Sequence, residues 1–133
     1  MKRAVLDSWA LIALYKDEPA ADAVEERLAK ASESGEFLAL CVINWGEVVY
    51  QFERLGGRAA AESVISEIEQ LPIELVPVDV ELTRQAAAFK ARGGLSYADC
   101  FAAALAKERK LELLTGDPEF KALEKDIKIS WLK

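Results

Sequence analysis

Four acidic residues stand apart from the rest of the chain: Asp7, Glu47, Asp99 and Asp117. Each lies beside apolar sequence, where a carboxylate is costly unless something holds it. Each also falls at the start of a predicted helix, where the free backbone N–H groups favour an anion. Carboxylates that converge repel one another unless they are protonated or bind cations. A few carboxylates, completed by water and phosphate oxygens, make the environment that Mg²⁺ or Mn²⁺ takes. Two such ions about 3.5–4 Å apart activate water and stabilise the leaving oxygen of a phosphodiester. The composition points the same way. The 133 residues include no histidine and two cysteines, Cys41 and Cys100. That removes imidazole-based triads, imidazole-ligated zinc and a Cys₄ zinc site, and leaves oxygen ligands. The competing reading is that the acids cap helices. Asp7 would cap a helix from Ser8. Asn44 to Glu47 and Ser96 to Asp99 have capping-box spacing. Asp117 precedes Pro118, as an N-cap precedes a first-turn proline. The residues alone leave both readings open, and neither names a reaction.

The elements that must position these acids alternate in type. Short apolar strands are predicted at 4–7, 37–43, 73–77, 112–115 and 127–132. Helices are predicted at 8–16, 20–34, 44–55, 58–71, 79–92, 96–110 and 118–124, with Pro19, Gly35, Gly56, Gly57, Pro72, Gly93 and Gly94 at the boundaries. Strands alternating with single helices or helix pairs predict an α/β fold with a mostly parallel sheet. Continuous apolar runs such as AVL and FLALCVI suit strands covered on both faces. Asp7 follows the first strand and Asp117 the fourth, so both are expected at the carboxyl edge of the sheet, where open α/β sheets bind ligands. The length suits one domain over residues 1–133.

The net charge is −6, which argues against a basic nucleic-acid-binding face. Position matters more than sum. Without the four acids the charge is −2, and two divalent ions would add +4 at the same place. Both cysteines lie in apolar runs and are expected to be free. Lys2 and Arg3 precede an apolar stretch that Asp7 interrupts, so no export signal is expected. With no run near the roughly 20 apolar residues that span a bilayer, a cytoplasmic protein is the expectation, without a membrane partner.

Four segments, in order and spacing, resemble PIN-domain ribonucleases of the VapC toxin type: VLDSWALIAL, INWGEVVYQFER, LSYADCFAAALA and LLTGDPEF. The resemblance covers nearly the whole chain. It implies a three-layer α/β/α sandwich around a mostly parallel central sheet. It implies an Mg²⁺- or Mn²⁺-dependent endoribonuclease, homodimeric and inhibited by a cognate antitoxin. By motif, the family's acids fall on Asp7, Glu47, Asp99 and Asp117, and its hydroxyl before the last acid on Thr115. Ser8 matches the hydroxyl that follows the first acid. Trp9 departs from the pattern, where a small or polar residue is usual, and is expected at the rim of the site. Glu119 reads first as an acid of the first turn of its helix, with an outer-shell role as the alternative.

Lys90 and Arg92 are the basic residues that precede the Asp99 segment. Favourable helix termination is expected of them ahead of phosphate contact. Trp45, Tyr50, Phe52 and Phe101 fit a core or a dimer interface better than base-stacking platforms. The apolar stripe Val64, Ile65, Ile68 and Leu71 is expected to pack internally. Two rival functions stand beside the ribonuclease. One is a catalytically silent PIN-like domain that binds a partner. The other is a different Mg²⁺-dependent phosphohydrolase.

Overall fold

Alternation along the inner strands determines the layers. The computed structural model describes residues 3–132, so Lys2 lies outside the described residues. Five strands form one sheet in the order β3-β2-β1-β4-β5: β1 (Ala4–Leu6), β2 (Leu38–Cys41), β3 (Ile73–Val76), β4 (Glu112–Thr115) and β5 (Ile129–Trp131). Every pairing is parallel. Val5, Ala39, Cys41 and Leu113 enter one core cluster. Their neighbours Ala4, Leu6, Leu38, Leu40 and Leu114 enter the other. Side chains of a strand alternate between faces, so the sheet is covered on both sides. Hence β1, β2 and β4 are buried throughout, whereas the edge strands β3 and β5 are partly exposed.

One outer layer comprises α1 (Ser8–Tyr15), α2 (Ala21–Ser34) and α3 (Val42–Glu69), which bring Leu11, Val24, Leu28, Val48, Val64 and Ile68 to the sheet. The stripe predicted on the second half of α3 therefore packs inward. The opposite layer holds α4 (Val80–Arg92) and α5 (Tyr97–Arg109). Residues Ala102 to Ala106 of α5 are at most 1% exposed. A helix buried on all sides needs small side chains, because those let neighbouring backbones come close. This is the α/β/α sandwich expected from the sequence, with the sheet parallel throughout its described strands.

Several local expectations need correction. The helices predicted at 44–55 and 58–71 run as one segment from Val42, broken at Gly57, whose φ of 79° and ψ of −173° are non-helical. The helix starts two residues before Asn44, because Cys41 with extended backbone is its N-cap. The segment 118–124 forms a 3₁₀ helix, Pro118–Leu123, rather than an α-helix. Cys41 and Cys100 are buried and free, as expected. No described helix is long and apolar enough to cross a membrane.

Candidate functional site

The strand order sets one position apart. From β1 the chain goes to β2 on one side, while β4 pairs on the other with Leu6 beside Leu114. The two strands diverge in connection but end together, which opens a crevice at their carboxyl ends. Asp7 and Thr115 meet there. The Thr115 hydroxyl donates to Asp7 Oδ2 at 2.5 Å. The backbone N–H of Ala10 donates to Asp7 Oδ1 at 2.9 Å, so Asp7 also caps α1. Asp7 is completely buried. Burial pushes its carboxyl up from 3.8 to about 7, against the downward pull of the Thr115 and Ala10 bonds, with Asp99 and Asp117 adding upward pressure.

Thr115 binds twice. Its Oγ1 also accepts the backbone N–H of Asp117 at 3.0 Å. Asp117 then caps the 3₁₀ helix, accepting the N–H of Glu119 at 3.0 Å. On the opposite layer Ser96 caps α5 and accepts the N–H of Asp99 at 3.1 Å. Asp99 is pushed up to about 6, first by burial, then by the Asp117 charge, with smaller contributions from Glu47 and Glu119; its bond with Ser96 opposes the rise. These mutual charge effects bring Asp7, Glu47, Asp99, Asp117 and Glu119 into one electrostatic neighbourhood.

Among the described residues, carboxylate oxygens of Asp99, Asp117 and Glu119 lie within 4.8 Å of one another. That spacing lets one cation reach all three, and an all-oxygen set suits Mg²⁺ or Mn²⁺. The raised values of Asp7 and Asp99 fit as well. They reflect burial first and mutual repulsion of the acids second, both of which a bound cation would offset. Asp7 and Glu47 lie outside that trio; the Asp7 oxygens accept from Ala10 and Thr115.

Glu47 reaches the neighbourhood differently from its sequence expectation. It is the sixth residue of α3 and no part of a capping box. Its carboxylate accepts the hydroxyl proton of Ser8, which joins α3 to α1. Asn44, expected to cap, is buried inside α3 and donates from Nδ2 to the carbonyl of Ala98 at 3.0 Å. That bond ties the start of α3 to the turn carrying Asp99.

Glu119 is the residue that the sequence reading undervalued. As a first-turn acid it looked like helix surface, and it is exposed. The signal was the two-residue spacing from Asp117. When a capping carboxylate accepts the N–H two residues on, it folds back over that residue, and the two acids come together.

The nearby basic and aromatic residues have structural partners. Lys90 Nζ donates to the Leu95 carbonyl at 2.9 Å. Arg92 forms a two-pronged pair with Asp126 at 3.0 and 3.1 Å. Both bonds brace the Gly93–Gly94 turn. Phe101 is buried in one core cluster, and Trp45 and Phe52 pack against the other; Tyr50 is exposed.

A family model described as PIN domain matches residues 4–126. The chain belongs to the PIN domain family. Solved PIN-like structures share its fold at low identity. VapBC2 from Rickettsia felis, bound to a DNA fragment from its promoter, gives a TM-score of 0.76 at 14% identity and covers 98% of each chain. DNA-bound VapBC from Salmonella typhimurium gives 0.74 at 20% identity, again covering 98% of each chain. VapC20 from Mycobacterium tuberculosis, described as a toxin that cleaves the sarcin–ricin loop, gives 0.68 at 17% identity, covering 90% of this chain and 93% of that one. No curated protein matches the sequence. The family match and the common fold agree with the resemblance read from the four segments.

Proposed function

We propose that this PIN domain, working as one unit over residues 1–133, is a divalent-metal-dependent endoribonuclease and the toxin of a toxin–antitoxin pair. The observation that carries the reading is the convergence of acids from four separate elements on the crevice between β1 and β4. Asp7, Glu47, Asp99 and Asp117 form the catalytic acid set and bind the metal, with Ser8 and Thr115 supporting them. The capping roles of Asp7 and Asp117 coexist with this task, since each uses one oxygen. Glu47 caps nothing. Helix capping therefore does not account for the full set.

The roles divide by geometry. Asp99 and Asp117, with Glu119 beside them, hold an Mg²⁺ or Mn²⁺ ion. Ser8 orients Glu47 toward the same centre. Thr115 fixes Asp7 and the Asp117 backbone together, so the end of β1 and the end of β4 keep one spacing. A bound ion supplies an activated water and stabilises the leaving oxygen of a phosphodiester. RNA is drawn by its phosphates to the ions rather than to a basic stripe, which reconciles the substrate with a net charge of −6. The VapBC complexes among the structural neighbours support an antitoxin partner. Its segment crosses the acidic crevice and offers Arg or Lys to the carboxylates. We assign the protein to the cytoplasm and expect it to be a homodimer.

The test is incubation of the purified protein with a mixed RNA pool. Internal cleavage with Mg²⁺ or Mn²⁺, abolished by EDTA, is the expected result. Asp7→Asn, Glu47→Gln, Asp99→Asn and Asp117→Asn should each lower the rate by orders of magnitude. Cleavage undiminished by EDTA, or near wild-type in all four variants, would sink the reading.

A further inference from the structure

The loop that delivers Asp117 is a single glycine long. Gly116 lies between Thr115, bonded to Asp7, and Asp117. Its φ is outside the left-handed region that glycines 35, 57, 93 and 94 occupy. The backbone therefore does not require glycine here. Trp9 does. A Cβ built on Gly116 would lie 2.1 Å from Trp9 Cη2, 2.5 Å from Cζ3 and 2.6 Å from Cζ2. Nearly equal distances to the two flanking carbons, only slightly longer than that to Cη2, put the point above the ring face. In the ring plane beyond the edge, the flanking carbons would each be about half an ångström more distant. The indole thus lies flat against Gly116. The ring can move only as a rigid body, by rotation about χ1 and χ2, so an added Cβ would displace the whole indole.

Trp9 is half-buried in the first turn of α1, two residues after Asp7. Its contact joins the element that begins at Asp7 to the loop that ends at Asp117. Otherwise that loop is held by short-range bonds, from the Asp117 N–H to the Thr115 hydroxyl, from the Glu119 N–H to the Asp117 carboxylate and from the Phe120 N–H to the Asp117 carbonyl. Flat aromatic packing restricts the glycine laterally and leaves no space for a second loop position on that side.

We propose that Trp9 is a positioning residue: lying flat on Gly116, it fixes the loop that presents Asp117 to the carboxylate cluster. Trp9 and Gly116 form a matched pair, so glycine is needed at 116 only while tryptophan stands at 9. The consequence for metal affinity rests on the metal-site reading above; the consequence for loop order does not.

The experiment uses the full chain and the variants Trp9→Ala, Trp9→Phe, Gly116→Ala and the double variant Trp9→Ala/Gly116→Ala. Leu28→Ala serves as a control, since Leu28 is 5% exposed and stands on α2, which carries none of the site residues. Amide hydrogen exchange in metal-free protein reports loop order. Mn²⁺ titration by calorimetry reports the site without requiring activity. Trp9→Ala should speed exchange at Asp117 and Glu119 and weaken Mn²⁺ binding about tenfold, the low end for loss of a support behind metal ligands. Trp9→Phe, which keeps an aromatic face, should lie between wild type and Trp9→Ala. Gly116→Ala should weaken Mn²⁺ binding in the wild-type background but add nothing to Trp9→Ala. Leu28→Ala should lower the melting temperature and leave the Mn²⁺ midpoint unchanged. Unchanged exchange at Asp117 in Trp9→Ala would overturn the proposal. So would independent, additive effects of Trp9→Ala and Gly116→Ala, or a Leu28→Ala midpoint shifted as far as that of Trp9→Ala. If wild type binds no Mn²⁺ while Trp9→Ala still speeds exchange, the metal reading fails and the positioning role stands.

Discussion

Asp7→Asn should make the metal-free protein more stable, and increasingly so as pH rises. In the fold the Asp7 carboxyl holds its proton up to about pH 7, against 3.8 for the ordinary group. Below about pH 4 both folded and unfolded chains carry the proton, and Asp7 adds no pH dependence. Between about pH 4 and 7 the unfolded chain releases it while the folded chain keeps it. The unfolded state then binds fewer protons, so stability falls as pH rises. Above about pH 7 the loss is complete. The interval corresponds to about 4 kcal/mol at 1.36 kcal/mol for each pH unit. Relaxation around a newly charged group brings the expected value to about 2–4 kcal/mol. Asparagine removes this slope and keeps the oxygen that caps Ala10, as asparagine and aspartate cap about equally well. Its amide faces Thr115, whose oxygen can accept a second bond. Any cost there is independent of pH. Thermal melts in EDTA from pH 4.5 to 8 would measure the difference between variant and wild type. The difference should widen with pH, reaching on the order of 10 °C in melting temperature for a domain of this size. Mn²⁺ should flatten the wild-type profile by binding the ionised cluster. Parallel profiles for the two proteins in EDTA would refute a strained, buried carboxyl at position 7.

Glu119→Gln should weaken Mn²⁺ binding about tenfold with little change in metal-free stability, because Glu119 is exposed; calorimetry that finds an unchanged midpoint would remove Glu119 from the site. Light scattering at micromolar concentration should give twice the 14.7 kDa chain mass; a monomer would contradict the homodimer.

Much of this architecture was readable in the chain because its signals are local. The runs AVL, LALC and ELLT are continuous and apolar, and parallel strands covered on both faces require that. The site acids stood out by context, each being a charge beside apolar sequence. What escaped depends on distant contacts. Asn44 followed by Glu47 reads locally as a capping box, but the helix extends back to Val42, and Asn44 reaches across to Ala98 instead. Glu119 looked like helix surface until Asp117 folded over its N–H. Trp9 was visible as an oddity, yet only its contact with Gly116, more than a hundred positions away, gives the residue a task.

The strand order also has a consequence for biosynthesis. The bond between Thr115 and Asp7 spans 108 positions, and β1 stays unpaired on one side until β4 arrives. A growing polypeptide can lay down β1, β2, β3 and five helices while the crevice still lacks a wall. The crevice, and with it the proposed activity, therefore cannot form before the Asp117 segment has emerged from the ribosome. Premature stop codons anywhere ahead of Glu112 abolish the pocket and leave a bare strand edge, a substrate for quality-control proteases. If the proposed nuclease function holds and selection acts against it, nonsense mutations across most of the reading frame would be equivalent escape routes.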